Sequence, residues 1–103
     1  MITDTNDFAN IEPVATPLHK AWLQAKAHNL DHLVFVEYED VYLTYATDAM
    51  DVHGLFENLT IINRRCEYYQ VAMLGIPIAE MESYLPTLIS HGHKPFLTNP
   101  GIL

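Results

Sequence analysis

Hydrophobic positions follow two rhythms along this chain. Leu33-Val-Phe-Val36 is an unbroken apolar run, which suits a strand covered on both faces. After the acidic break Glu37 to Asp40, Val41-Tyr-Leu-Thr-Tyr45 resumes with β-branched and aromatic residues. The two runs read as a hairpin, although Glu39-Asp40 lacks the usual turn glycine. A second pair is expected downstream, with a short strand over Leu59 to Ile62, a polar turn over Asn63 to Glu67 and a return strand over Tyr68 to Leu74. Gly75 is read as the break that ends it.

The other rhythm is helical. Thr16-Pro17 is a capping residue followed by a proline at the first helical position, and Leu18, Trp22 and Ala25 share one face of the helix that follows, to about His28. Thr47-Asp48 opens a second helix, with Ala49, Val52 and Phe56 on its buried side. Pro77 starts a third, in which Met81, Tyr84, Leu85 and Leu88 form a core-facing stripe. Pro86 lies inside it, where a proline costs about 3 kcal/mol unless the helix kinks or divides. Gly92 is a natural stop, and His93 to Leu97 a final short strand. The pattern predicts an α/β (α+β) fold: a small mixed sheet flanked by about three helices. Residues 1–15 read as a loosely docked lead-in, 16–97 as the domain and 98–103 as a tail.

Composition narrows the class. The 103 residues suffice for one domain, and with 50% apolar residues a packed core is expected. No apolar run reaches the roughly 20 residues of a membrane helix, and the polar, acidic first ten residues do not resemble a secretory signal. A soluble, cytoplasmic chain is expected. Cys66 is the only cysteine, which excludes an internal disulfide. Were the thiol exposed, Arg64 and Arg65 would lower its pKa, but a single cysteine in a turn reads as incidental.

Thirteen carboxylates against five Lys and Arg leave a net charge of −8, which raises the long-range barrier to approaching DNA. Six histidines, including His28, His32, His91 and His93, invite a zinc reading. Without a cysteine pair they read instead as surface histidines near turns. Asp48 with Asp51, and Glu80 with Glu82, read as solvated helix faces rather than paired catalytic acids. There is no nucleophile elbow, dinucleotide fingerprint or Gly-x-x-x-x-Gly-Lys-[Ser/Thr] stretch. No catalytic residue, metal or cofactor is assigned, and the chain is not read as an enzyme. Tyr38, Tyr42, Tyr45, Tyr68 and Tyr69 either stack bases on an open sheet face or pack beneath the helices with their hydroxyls at the rim.

Residue choices from Met73 onward supply a family. Met73, Gly75, Ile76, Pro77, Glu82, Tyr84, Leu85, Leu88, Ile89 and Gly92 follow without a gap the spacing of the N-terminal, mismatch-contacting domain (domain I) of MutS proteins. Upstream, Pro17-Leu18, Trp22 and Lys26 are similar to that domain's first helix, and Asp40 and Tyr42 to its Gly-Asp-Phe-Tyr-Glu. Leu59-Thr60 resembles its Leu-Thr, with Arg64-Arg65 standing for the basic pair after it. The chain thus resembles a stand-alone copy of MutS domain I, which implies a tie to DNA mismatch repair.

That family inserts the Phe of a Phe-x-Glu motif beside the mispaired base and hydrogen-bonds the base with the Glu. Here those positions hold Val41 and Leu43, and the preceding Gly is Glu39. Valine has no flat face for a stack of about 1–3 kcal/mol, and leucine accepts no hydrogen bond. Wedge-type mismatch sensing is therefore not expected. Two readings follow. One is a non-catalytic module making weak contact with duplex DNA through Arg64, Arg65, Lys20, Lys26 and Tyr42, with Lys94 as a further phosphate contact. The other is an acidic protein-interaction module, such as a DNA mimic or a mobile-element accessory protein, whose partner is a basic protein or a MutS-type repair protein.

Overall fold

The structure, a computed structural model, describes residues 15–66 and 68–101. The expected lead-in, Ala15 apart, lies outside these residues, as do Glu67 and the last two residues of the tail. Helix α1 is Ala15–His28, β1 Leu33–Tyr38, β2 Val41–Tyr45, α2 Ala46–Leu55, β3 Ile62–Cys66, β4 Tyr69–Pro77, α3 Ile78–Ser90 and β5 Pro95–Thr98. The strands form one sheet in the order β3-β4-β2-β1-β5. Every neighbouring pair is antiparallel except β1 and β5. This is the mixed α+β architecture anticipated from the pattern.

The unbroken run in β1 is explained by two cores, one on each side of the sheet. Val34, Val36 and Tyr38 point to one face, where Leu18 and Trp22 of α1 meet Leu43 and Tyr45 of β2 and Met73 of β4. Leu33 and Phe35 point to the other, against Ala49 and Val52 of α2, Met81 and Leu88 of α3, and Leu74 and Ile76 of β4. Burying side chains of this size stabilises by about 1.5–3 kcal/mol each.

The β1–β2 ladder runs only from Tyr38↔Val41 to Val36↔Leu43, and the chain leaves β2 for α2 immediately after Tyr45. Ala46 makes that loopless exit with a left-handed φ of 53°. Val34, fully buried, consequently has no ladder partner on the β2 side. Side chains take over: Asp48 Oδ2 accepts its N–H at 3.0 Å, and Trp22 Nε1 donates to its carbonyl at 2.8 Å. Asp48 Oδ1 also pairs with Lys26 Nζ at 2.9 Å, and the same ammonium donates to His32 O at 2.6 Å. One buried carboxylate thus fastens α1, α2 and β1 together.

Several boundaries differ from the pattern. Asn63 to Cys66 form an edge strand rather than a turn, since Asn63 and Arg65 are exposed while Arg64 and Cys66 are buried in strict alternation. The ladder therefore runs on to Cys66↔Tyr69. Gly75 does not end β4 but pairs with Leu43 inside it. Helix α2 starts at Ala46 without a side-chain cap, and Asp48 is buried rather than solvated. Ala15 is already helical, so Thr16 sits within the first turn. Helix α3 passes through Pro86 undivided.

Both ends of α3 are closed by backbone bonds. The Ile78 N–H, an orphan donor of the first turn, reaches Asp40 O at 2.9 Å and ties the helix to the β1–β2 turn. At the other end Gly92 has φ 88°, its N–H bonds Ile89 O, and the His93 N–H bonds Leu88 O. That is the paired pattern of a Schellman stop, and the position needs glycine.

Two stability outcomes follow. Asp48→Ala strands both the Lys26 ammonium and the Val34 N–H, and is expected to cost about 3 kcal/mol in urea unfolding. Glu39 holds the left-handed conformation (φ 55°) where the family pattern has glycine. Glu39→Gly is expected to stabilise by about 0.5–1 kcal/mol, read as a higher thermal midpoint.

Candidate nucleic-acid interface

The β1–β2 hairpin carries Val41 and Leu43, the positions that the resemblance aligns with the wedge, and it points them inward. In β2 the odd-numbered residues face α1, so Val41 is 9% exposed and Leu43 is fully buried. Both belong to the core beside Tyr45 and Met73. Neither side chain is available to a base.

The tip of this hairpin is acidic. Glu39 and Asp40 are exposed in the turn, Glu37 sits directly across from Tyr42, and the Asp40 backbone contacts the start of α3, whose first turn contains Glu80. Tyr42, half-buried, packs towards α2 and α3. Desolvation, with the nearby Glu37 carboxylate, raises its phenol pKa above the usual value. A phosphate approaching here meets the carboxylates of Glu37, Glu39 and Asp40.

The predicted cations are not gathered into one patch. Lys26 is bound to Asp48 and to the His32 carbonyl. Arg64 is buried on the α1 side of β3, close enough to influence the Tyr45 phenol. Lys20 is exposed on α1, whereas Arg65 is exposed on the face of the sheet away from α1. Lys94 lies 3.3 Å from Asp31. Arg65 and Lys20 both point outward, from opposite sides of the sheet.

The tyrosines divide. Tyr38 and Tyr45 are core residues, and burial pushes the Tyr45 phenol pKa far up. Tyr69 places its hydroxyl 2.7 Å from His19 Nδ1. The His19 ring is itself buried and stacked near Trp22, and desolvation lowers its pKa, which favours the neutral ring. Tyr68 is the most open of the five, at 94% exposure beside the start of β4, and Tyr69 is 39% exposed.

The histidine ring nitrogens turn to nearby acceptors: His28 to Gln24 O, His53 to Leu59 O, and His91 to Thr87 O. Among the described residues, no three His, Cys, Asp or Glu side chains are placed to hold a metal. Cys66 is 1% exposed, with Sγ 3.7 Å from Ala15 O, so the expected turn thiol is a core residue. Among the described residues, no helix is long and apolar enough to cross a membrane.

Sequence reasoning missed the outer face of the β3–β4 hairpin. Asn63, Arg65 and Gln70 are all exposed there, with Arg65 directly opposite Gln70. The period-two alternation of Asn63 to Cys66 was the available signal, and a polar run read as a turn concealed it.

Comparison with known proteins matches this geometry. The sequence profile of MutS domain I covers residues 16–96. The chain is similar to the DNA mismatch repair protein MutS of Methanococcoides burtonii, with 32% identity over 80 residues, 77% of the chain and 9% of that protein. It is also similar to MutS of Wolbachia pipientis wMel, at 35% identity over 80 residues with the same 77% and 9% coverage. The match to MutS of Rhizobium meliloti is 28% identical over 96 residues, 90% of the chain and 10% of that protein. The chain therefore spans about a tenth of the length of these relatives.

Replacing the two core residues by the family's own tests their placement. Leu43→Glu puts a charge into a dry core and is expected to cost more than about 3 kcal/mol, enough to unfold much of the population. Val41→Phe should cost about 1–3 kcal/mol by overpacking. Circular dichroism melts of the two variants check both values.

Proposed function

The chain belongs to the MutS domain I family, and from that premise we propose that it is a non-catalytic, mismatch-repair-related module that contacts duplex DNA weakly and without a wedge. The observation that carries this reading is the burial of Val41 and Leu43 on an otherwise family-like fold. The hairpin that would enter the duplex presents Glu39 and Asp40 in place of an aromatic probe. Contact then relies on the outward cations, Arg65 and Lys20, and on neutral polar side chains. Arg64, Lys26 and Tyr42 support the module from within: one fills the α1 side of β3, one holds Asp48, and one lines the α2–α3 core. Its place of action is the cytoplasm, with DNA.

The acidic end favours a second reading. Glu37, Glu39, Asp40 and Glu80 gather around the β1–β2 turn and the start of α3. This surface suits a basic protein partner, in the manner of a DNA mimic or a mobile-element accessory protein acting on MutS-type repair proteins. Electrostatic complementarity of this kind speeds encounter and selects partners more than it adds affinity.

Fluorescence anisotropy with labelled matched and mismatched duplexes separates the two. The DNA reading predicts weak binding that is equal for both duplexes. Each phosphate contact contributes a slope of about −0.9 in log affinity against log salt, so two cations predict a slope no steeper than about −2. A marked preference for the mismatch contradicts the wedge-free account. Absence of binding at low salt, with capture of a basic protein instead, leaves the second reading.

A further inference from the structure

The pairing of β2 with β4 ends at Tyr45↔Met73, whereas β4 begins at Tyr69. From Tyr69 to Ala72 it is bonded to β3 alone. The β3–β4 hairpin therefore extends past the sheet as a two-stranded ribbon. Its α1 side is backed: Cys66 Sγ approaches Ala15 O, Tyr69 meets His19, and Arg64 is buried between them and the sheet. Its other side is open and carries Asn63, Arg65 and Gln70, all exposed, with Tyr68 at the tip. Among the described residues of the ribbon, the only charged ones are Arg64 and Arg65.

We propose that this open ribbon face docks into the major groove of duplex DNA, with Asn63, Arg65 and Gln70 directed at base edges and backbone. The inference rests on the DNA-contacting reading above and names its surface. A groove about 12 Å wide accepts a two-stranded β-ribbon, and Arg, Asn and Gln are the side chains whose paired donors and acceptors match guanine and adenine edges. Backing by α1 holds the ribbon rigid, so little conformational freedom is lost on docking.

Charge placement agrees with this orientation. The acidic turn lies at the Pro77 end of β4, since Val41 pairs with Pro77. Pro77 and Tyr69 stand at the two ends of the 9-residue strand β4, a span of about 27 Å at roughly 3.4 Å per residue step. That exceeds the Debye length of about 10 Å at 0.1 M salt. DNA at the Tyr69 end of the ribbon is thus screened from the carboxylates of the β1–β2 turn and the start of α3, Glu37, Glu39, Asp40 and Glu80.

The test uses the whole chain with a short labelled duplex at low salt, and compares wild type with Arg65→Ala and with the charge-neutral double variant Asn63→Ala/Gln70→Ala. All three substituted side chains are exposed, and unchanged melting temperatures verify that each variant folds. Both variants are expected to bind about tenfold more weakly. Arg65→Ala should in addition flatten the salt slope by about one unit. Wild-type binding that neither variant weakens overturns the ribbon surface while leaving DNA contact standing. So does a loss confined to Arg65→Ala, which reports phosphate attraction without a docked face. No binding by the wild type overturns both.

Discussion

The organisation of this domain depends on how Val34 is satisfied. The chain leaves β2 without a loop, and the β1–β2 ladder ends at Val36↔Leu43, two residues short of Val34, which leaves a fully buried N–H and C=O without a ladder partner on that side. An unmet buried backbone group costs about 1–3 kcal/mol. Asp48 meets the N–H and Trp22 the carbonyl, from helices on opposite sides of the sheet. Because Asp48 also holds Lys26, the positions of α1 and α2 relative to β1 are set by one polar cluster. The apolar cores supply the bulk of the stability, and this cluster selects the arrangement in which they pack.

That arrangement has a direct consequence for function. With α1 locked across β1 and β2, the inward side chains of β2 are Val41, Leu43 and Tyr45. A Phe-x-Glu pair cannot occupy two of those sites without placing a carboxylate in a dry core. Apolar residues there stabilise the domain, and the β1–β2 hairpin loses its access to a base. What its tip retains is a turn with two exposed acids. Among the described residues the sheet is polarised as a result, with carboxylates at the β1–β2 turn and neutral or basic side chains on the β3–β4 strands at the far end.

Much of this was legible in the sequence because local rules and tertiary packing agree. The run Leu33 to Val36 reports two covered faces, and the stripe of α3 reports its core side. Gly92 announces the left-handed stop of that helix. The acid-for-glycine exchange at Glu39 and the apolar-for-probe exchanges at Val41 and Leu43 could be seen against the family spacing. Other features depended on partners far along the chain. Asp48 reads as an ordinary acid near a helix start, and nothing local reveals Lys26, 22 residues earlier. Arg64 reads as a phosphate contact because arginine is seldom buried, yet edge-strand alternation turns it inward while Arg65 turns outward. Gly75 reads as a break, but pairing with Leu43 carries β4 through it.

The central claim is that DNA meets the β3–β4 ribbon and not the hairpin that holds Val41 and Leu43. Backbone amide chemical shifts of the isotopically labelled protein, followed during titration with duplex DNA, locate the contact residue by residue. The account predicts that the shifts concentrate on Asn63, Arg65, Tyr68 and Gln70, while Glu37 to Leu43 stay unchanged. Perturbations centred on Glu39 to Leu43, with the ribbon silent, would contradict it.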